Sequence, residues 1–338
     1  SMLRARTGHD FSSYKQPTVL RRIARRVQVH ELEAINEYVD FLRSHPEEVE
    51  ALLADLLITV TDFFRDKEVF DALQQNVVPK LFKGKTSADQ VRVWVVGCAT
   101  GEEAYSIAML LREHADQLTD PPALQVFATD INEQAIATAR AGRYSEAMTA
   151  DVSPERLRQF FVKEGRFYHV KKELREMVLF APHNVTRDPP FSRIDLVSCR
   201  NLLIYLNRDM QERILEIFHF ALHREGFLCL GTSESAEGAA TLFSVFDKKW
   251  RVYKNRQPSL QQPTFLILPA QGKWQVRFPE PPPVQRVRDS SFGELHFKLI
   301  ELHGPPSVLV NEEGDIVHLS EHAGRYLRMA GGEPTHNL

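Results

Sequence analysis

The chain has 338 residues, which leaves room for two domains and part of a third, and its content of 43% hydrophobic and 26% charged residues is ordinary for a globular protein. The formal net charge of −3 argues against general binding to nucleic acid, and three cysteines are too few for a disulfide framework or a zinc cluster. No apolar run reaches the roughly 20 residues that cross a bilayer, so we expect no membrane insertion and a reducing, cytoplasmic location.

Residues 1–83 predict an all-helical N-terminal domain. Apolar side chains recur at helical spacing from Val19 to Val27, directly after a proline that suits a first helical turn. Further helices are expected at 31–43, after Pro46, and at 66–81.

The first long helix is strongly basic. It carries four arginines, Arg21, Arg22, Arg25 and Arg26, whereas acidic residues dominate 31–55. A run of charge is usually a solvated helix face. The functional alternative is a docking surface for an acidic partner, with electrostatic steering of the encounter. Nucleic acid is a poorer alternative because no aromatic residues are interleaved with the arginines.

Residues 84–256 alternate short apolar strands with helices, a pattern typical of a parallel sheet covered by helices. Strands are expected at 91–97, 124–130, 194–199, 227–230 and 250–254. Helices are expected at 102–114, 133–140 and 208–223.

Residues 142–182 interrupt this alternation. A polar helix near 154–162 and apolar runs at 166–170 and 177–181 predict a small helix-plus-β insertion on the main sheet.

After the sheet comes a Pro/Gln-rich stretch, 257–290, with the composition of a linker. The segment 291–338 contains two apolar runs around an Asn-Glu-Glu-Gly turn, which indicates a hairpin. This segment resembles the opening of a PAS sensor domain, so we interpret it as a partial PAS-like unit.

The first strand–helix junction predicts a ligand site. It runs from Gly97 through Ala99 to Gly101, and small residues there let the backbone approach a ligand closely. The second strand ends in Asp130, where a carboxylate can accept both ribose hydroxyls of a nucleoside. The acids that follow the loop, beginning at Glu102, would repel a pyrophosphate, so the charge balance favours S-adenosylmethionine over NAD.

Four motifs in order carry a family resemblance. They are Thr61-Asp-Phe-Phe-Arg-Asp66, Trp94-Val-Val-Gly-Cys-Ala-Thr-Gly-Glu-Glu-Ala-Tyr-Ser-Ile-Ala108, Phe127-Ala-Thr-Asp-Ile131 and Cys199-Arg-Asn-Leu-Leu-Ile-Tyr205. Together they resemble the bacterial chemotaxis receptor methyltransferases, the CheR family. The resemblance implies an α/β fold: a Rossmann-like seven-stranded S-adenosylmethionine methyltransferase sheet with a small β-subdomain, preceded by an all-helical domain.

The resemblance also implies an activity and a site. The family transfers methyl groups to glutamates on the cytoplasmic helices of methyl-accepting chemotaxis-type receptors, which yields glutamyl methyl esters and S-adenosylhomocysteine. Matched to family positions, the catalytic residues are Arg65 and Tyr205. The cofactor-binding residues are Thr59, Thr61, Arg65, Gly97, Ala99, Glu102, Asp130, Asn184, Val185, Arg200 and Asn201. The substrate-docking residues are Arg21, Arg22, Arg25 and Arg26. We expect no metal site, and we expect the chain to be fused to further signalling domains.

Taken singly, each residue also has a structural explanation. Glu102 suits the first turn of any helix, Asp130 suits a strand-end cap, and Tyr205 suits a packed aromatic. The competing function is a non-catalytic module that binds S-adenosylmethionine or S-adenosylhomocysteine and relays occupancy to fused domains. The joint pattern favours the enzyme.

Overall fold

The computed structural model describes residues 2–256, 308–310 and 316–319. The chain divides into two compact units, residues 1–263 and 264–338.

The larger unit begins with four helices. They are α1 (Met2–Thr7), α2 (Gln16–Val29), α3 (Ile35–Ser44) and α4 (Pro46–Leu56). Their apolar faces bury a core of their own that includes Tyr38 and Leu52, each 1% exposed. Helix α3 begins later than predicted, because Glu31 adopts a left-handed φ of 55° that separates the two helices.

The predicted helix at 66–81 is confirmed, with an interruption. Helix α5 (Lys67–Ala72) continues through a π turn (Leu73–Val77) into α6 (Val78–Phe82). Pro79 lacks a backbone N–H, which favours such a widened turn. Both helices contribute to the core beneath the sheet rather than to the core of the first four helices. The predicted boundary at 83 therefore divides two helices from the core into which they pack.

The seven-stranded sheet is confirmed. Its strands are β1 (Gln90–Val96), β2 (Ala123–Asp130), β6 (Val178–Pro182), β7 (Ile194–Cys199), β8 (Leu222–Leu230), β9 (Phe243–Asp247) and β10 (Val252–Asn255). The strand order is β6-β2-β1-β7-β8-β10-β9, with β10 antiparallel to both neighbours and the first five parallel. Helices α7 (Glu102–Ala115), α8 (Glu133–Ala141) and α11 (Arg208–Ala221) connect the parallel strands.

The insertion is smaller than predicted. Its three-stranded sheet contains β3 (Arg143–Ser145), β4 (Phe161–Glu164) and β5 (Phe167–Val170), with helices α9 (Pro154–Phe160) and α10 (Lys172–Glu176) beside it. The assignment of 177–181 to the insertion is wrong, because this run forms β6 and pairs in parallel with β2. Its buried positions, Val178 and Phe180, face the main core, and a sequence run alone cannot show which sheet will bury it.

In the second unit the predicted hairpin strands are confirmed as β11 (Val308–Val310) and β12 (Ile316–Leu319), which pair antiparallel. The predicted linker 257–290, the turn of the hairpin and the remainder of the PAS-like segment lie outside the described residues. In the described part of the chain, no helix combines the length and apolar character that a membrane span requires.

Candidate functional site

Several predicted site residues follow parallel strands at the same edge of the sheet. Strand β1 is central, with β2 and β6 on one side and β7 and β8 on the other, so the direction of chain progression reverses between β1 and β7. In open α/β sheets, ligands bind outside the carboxyl ends of the strands at such a reversal. The topology therefore brings the loops after β1, β2, β6 and β7 to one crevice.

The loop after β1 is held in an unusual backbone conformation. Gly97, Ala99 and Gly101 have positive φ angles of 70°, 46° and 97°, and Ala99 adopts this strained value despite its side chain. Its amide donates a hydrogen bond to Oδ2 of Asp130, at 2.9 Å. A Cβ on Gly101 would lie 2.8 Å from Ala139, so only glycine permits this close approach of α7 to α8.

Two acids border this loop. Asp130 is the last residue of β2, and its other oxygen accepts from the amide of Asn132 at 2.9 Å. Burial raises the pKa of the Asp130 carboxyl, and the amide hydrogen bonds oppose the rise. Burial likewise raises the pKa of Glu102, which accepts from the Thr100 hydroxyl at 2.7 Å. Both carboxylates are thus poorly solvated, and a cationic ligand would stabilise their ionised forms.

The turn that carries Arg65 comes from the segment between α4 and α5. Phe63 and Phe64 anchor it, being only 2% and 5% exposed. The amide of Phe64 donates to Oγ of Ser106 on α7 at 3.0 Å. Phe64 and Asp66 both have positive φ, of 50° and 58°, so the backbone flanking Arg65 is strained on either side.

Arg65 itself is half-buried, and its guanidinium donates to the Val60 carbonyl at 3.2 Å. This hydrogen bond joins the two ends of the loop from Val60 to Arg65. Thr61 lies within this loop and Thr59 directly before it, and both threonines are half-buried. The structure therefore places Thr59, Thr61 and Arg65 in one segment, which is held against α7 by the bond to Ser106.

Arg200 follows β7 and is the main electrostatic tie of this turn. Its side chain is 1% exposed and donates at 2.7 Å to both the Arg65 carbonyl and Oδ2 of Asp66. It also lies 3.4 Å from Glu103, whose other oxygen accepts from Ser198 at 2.7 Å. These hydrogen bonds hold the protein's own turn, and the contact of Arg200 with the cofactor stays a prediction.

Asn201 and Tyr205 share the loop that continues from Arg200. Asn201 has a positive φ of 59°, and its amide donates to Oε2 of Glu234 at 3.0 Å. The same carboxylate accepts from the amides of Gly231 at 2.7 Å and Ile204 at 3.2 Å. Glu234 is 5% exposed, and its burial raises its pKa. This buried acid shapes the loop on which half-buried Tyr205 lies.

Asn184 and Val185 follow β6. The Asn184 side-chain oxygen accepts from the amide and hydroxyl of Thr186, at 3.0 and 2.7 Å, which fixes a tight turn. Val185 is 8% exposed and joins the apolar cluster on the β7 side of the sheet. This loop lies beside that of Asp130, whose carbonyl accepts from the amide of His183 at 2.9 Å.

Sequence reasoning missed Glu103, Glu234 and Asp66 as organisers of the site. Glu103 was indistinguishable from an ordinary first-turn acid. Glu234 follows a buried strand by a few residues, and that position was the available signal. Among the described residues, no group of three or more His, Cys, Asp or Glu side chains is arranged to hold a metal ion.

The basic helix α2 divides into two faces. Arg21 and Arg25 are exposed, and Arg22 is intermediate. The prediction that Arg26 belongs to the docking surface is wrong, because its side chain is only 16% exposed and forms an ion pair with Glu48. Nε of Arg26 donates to Oε1 of Glu48 at 2.8 Å, so this arginine stabilises the helical domain instead.

Comparison with known proteins gives two adjoining family matches. The CheR methyltransferase SAM binding domain matches residues 59–252, and the CheR methyltransferase all-alpha domain matches residues 1–57.

Three similar proteins illustrate the relationship. An uncharacterized 104.1 kDa protein of Rhodobacter capsulatus, from the hypE 3' region, is 35% identical over 96% of this chain, which spans only 34% of that protein. Chemotaxis protein methyltransferase 1 of Pseudomonas aeruginosa is 31% identical over 68% of this chain and 85% of its own length. The chemotaxis protein methyltransferase of Listeria monocytogenes is 28% identical, over 71% and 91% respectively.

Proposed function

Because the chain belongs to the CheR methyltransferase family, with S-adenosylmethionine as its cofactor, we propose that it methylates glutamate side chains on the cytoplasmic helices of chemotaxis-type receptors. The observation that carries the proposal is the turn that holds Arg65 at the cofactor edge of the sheet. An arginine there suits an anionic acceptor side chain.

The residues of the crevice suit this cofactor. The open loop from Gly97 to Gly101 is followed by the acid Glu102, and Asp130 ends the neighbouring strand. Poorly solvated carboxylates favour a ligand that carries an ammonium and a sulfonium and disfavour a phosphate. We assign the ribose hydroxyls to Asp130, the amino-acid portion to Glu102, and the adenine to the loop of Asn184 and Val185.

When bound, the cofactor would supply a methyl group attached to a positively charged sulfur. In the transfer, the methyl carbon would bond to an oxygen of the glutamate carboxylate as the carbon–sulfur bond breaks, and the electron pair of that bond would remain on sulfur. A glutamate is already ionised near neutral pH, so the protein needs no general base. Its contribution is to position and desolvate the acceptor.

Arg65 is suited to orient the acceptor carboxylate by a charge-assisted hydrogen bond. The backbone of its turn is fixed by Arg200, at the Arg65 carbonyl, and by Ser106, at the Phe64 amide, so little backbone entropy is lost when the acceptor arrives. We assign to Tyr205 the role of holding the second carboxylate oxygen or covering the reacting carbon. The remaining site residues, Thr59, Thr61 and Asn201, are assigned to contacts along the cofactor.

The exposed arginines of α2 give the receptor a docking surface of opposite charge. Arg21 and Arg25 lie one helical turn apart and so share a face. We propose a cytoplasmic reaction, since the acceptor helices lie there. Similarity to a protein of which this chain spans 34% supports fusion to further domains in the full-length protein.

The test is transfer of tritiated methyl from S-adenosylmethionine to purified receptor cytoplasmic fragments. We expect label on protein that mild base releases as methanol, because the product is an ester. Arg65→Ala and Tyr205→Phe should reduce the transfer rate strongly. Arg208→Ala is the matched control, since Arg208 is 84% exposed on α11 and pairs only with its neighbour Glu212 among the described residues.

Base-stable label on protein would refute the ester assignment and indicate a nitrogen acceptor. Cofactor binding with no transfer to any receptor fragment would instead support the second candidate function, a module that reports cofactor occupancy to fused domains.

A further inference from the structure

The segment between α1 and α2, residues 8–15, crosses the edge of the sheet at which the site loops meet. Near its start, the Gly8 carbonyl accepts from Nη1 of Arg187, which follows β6, at 2.8 Å. Near its end, the Ser13 carbonyl accepts from the amide of Asn207, which follows β7, at 2.8 Å. The segment therefore ties together the loops on either side of β1 and β2.

Tyr14 lies near the end of this segment, where the segment pairs with the loop after β7. It forms an antiparallel bridge with Leu206, and the next amide, of Lys15, donates to the Tyr205 carbonyl at 2.8 Å. A tyrosine of the N-terminal segment is thereby placed beside the loop of a proposed catalytic residue.

The ring of Tyr14 occupies the boundary between two apolar clusters. On one side it contacts Phe11 of the helical domain, with ring centroids 4.9 Å apart. On the other side it packs against the cluster that includes Val185 and Leu206. Burial raises the pKa of the Tyr14 hydroxyl to about 12, and the negative charge of Asp130 contributes to the rise. The segment that carries Tyr14 is thus bonded to the loop of Val185, through Arg187, and to the loop of Tyr205.

We propose that Tyr14 is a further cofactor-binding residue, which closes the nucleoside part of the site from the N-terminal side, opposite Asp130. The inference rests on the proposed roles of Asp130 and Val185 and is independent of the identity of the methyl acceptor. An aromatic ring with a polar tip suits this position, because one end meets apolar side chains and the other meets ribose hydroxyls.

The experiment is calorimetric titration of the full chain with S-adenosylmethionine, S-adenosylhomocysteine and adenosine. Tyr14→Phe keeps the ring and removes the hydroxyl, so we expect affinity for all three ligands to fall by the same factor, about two- to tenfold. An equal loss for all three locates the contact on the nucleoside they share. Tyr14→Ala should weaken binding further.

Tyr38→Phe is the matched control. It removes the hydroxyl of another tyrosine of the helical domain, which donates to Glu48 at 2.6 Å within the core of that domain. We expect this variant to unfold at a lower temperature and to bind cofactor as the wild type does.

Wild-type affinity of Tyr14→Phe for all three ligands would overturn the inference. So would equal losses of affinity in Tyr14→Phe and Tyr38→Phe, since that result would indicate a general loosening of the helical domain. Failure of methyl transfer to receptors would refute the proposed reaction and leave these binding measurements interpretable.

Discussion

Arg200→Met should separate positioning of the turn that carries Arg65 from cofactor binding. The substitution removes a cation that is 1% exposed and keeps an apolar chain that fits against Phe70, over whose ring the guanidinium carbon now lies at 5.1 Å. It leaves the Arg65 carbonyl and two carboxylates, Asp66 and Glu103, without this donor.

The magnitude follows from what each partner loses. The Asp66 side chain is 36% exposed and can rehydrate, so its lost ion pair costs little. Glu103 is 14% exposed and, within the described part of the chain, keeps only the hydrogen bond from the Ser198 hydroxyl, so most of the penalty falls on Glu103 and on the Arg65 carbonyl. Hydrogen bonds to charged groups contribute about 1.5–3 kcal/mol each, and the desolvation of the guanidinium is recovered on substitution, so we expect a loss of about 2–4 kcal/mol of unfolding free energy.

The functional loss should exceed what stability explains. With the turn released, Arg65 no longer sits in one orientation, and we expect kcat to fall by about 10- to 100-fold with cofactor affinity changed by less than about threefold. Urea unfolding, calorimetry and the tritium transfer assay measure the three quantities under identical conditions.

Lys85→Met is the matched control for this prediction. Lys85 pairs with Asp195 at 2.6 Å, and Asp195 is 4% exposed near the opposite end of the same strand, β7. Its substitution should destabilise the fold to a similar extent and leave kcat unchanged. If both variants lose activity in proportion to stability, Arg200 has no special role in presenting Arg65; if Arg200→Met loses cofactor affinity instead, its side chain is a cofactor ligand after all.

Three further predictions concern other charges of the molecule. Burial would raise the pKa of Glu48, but hydrogen bonds from its partners, first Arg26, outweigh that effect and lower the pKa from 4.5 to about 2. The ionised Glu48 therefore stabilises the fold above pH 4.5, and this stabilisation is lost as the pH falls toward 2. The difference in unfolding free energy between wild type and Glu48→Gln should therefore shrink by about 2 kcal/mol from pH 6 to pH 3, and a constant difference would contradict the assignment. Glu234→Gln sets an amide nitrogen against one of the main-chain donors and should cost about 1–3 kcal/mol in urea unfolding, with a lower transfer rate; unchanged values would show that the loop holds without the carboxylate. Arg21→Glu with Arg25→Glu should raise KM for receptor fragments by at least about tenfold with kcat intact, whereas Arg26→Ala should lower stability and leave KM alone; the reverse pattern would place docking elsewhere.

The sequence allowed the repeating parts of the fold to be predicted. Local periodicity predicts strands such as 91–97 and helices such as 102–114, and the structure confirms both. In each, the apolar residues that create the pattern are buried. Strand β9 was missed because two of its side chains, Val245 and Phe246, are exposed at the edge of the sheet. The run at 177–181 was misassigned because the choice between two sheets is made by tertiary contacts.

The site residues likewise divide into those that the sequence predicts and those that it does not. Positions at the carboxyl ends of strands, such as Gly97 and Asp130, could be found from the chain order, since parallel strands bring these ends together. The ion pairs of Arg26 and Arg200 within the protein could not be predicted, because each arginine pairs with a carboxylate distant in sequence. A charged residue in a sequence looks the same whether it meets solvent or a buried partner.

The arrangement of the buried charges explains why the turn of Arg65 depends on the sheet and its covering helix for its conformation. The turn of Arg65 lies outside the sheet, carries two strained residues, and would relax in isolation. Arg200 from β7 and Ser106 from α7 supply the hydrogen bonds that hold it, and both belong to the sheet and its covering helix. The energy that maintains the strained turn therefore comes from the same elements that form the cofactor crevice. A variant that weakens these ties should lose transfer to the acceptor before it loses the cofactor.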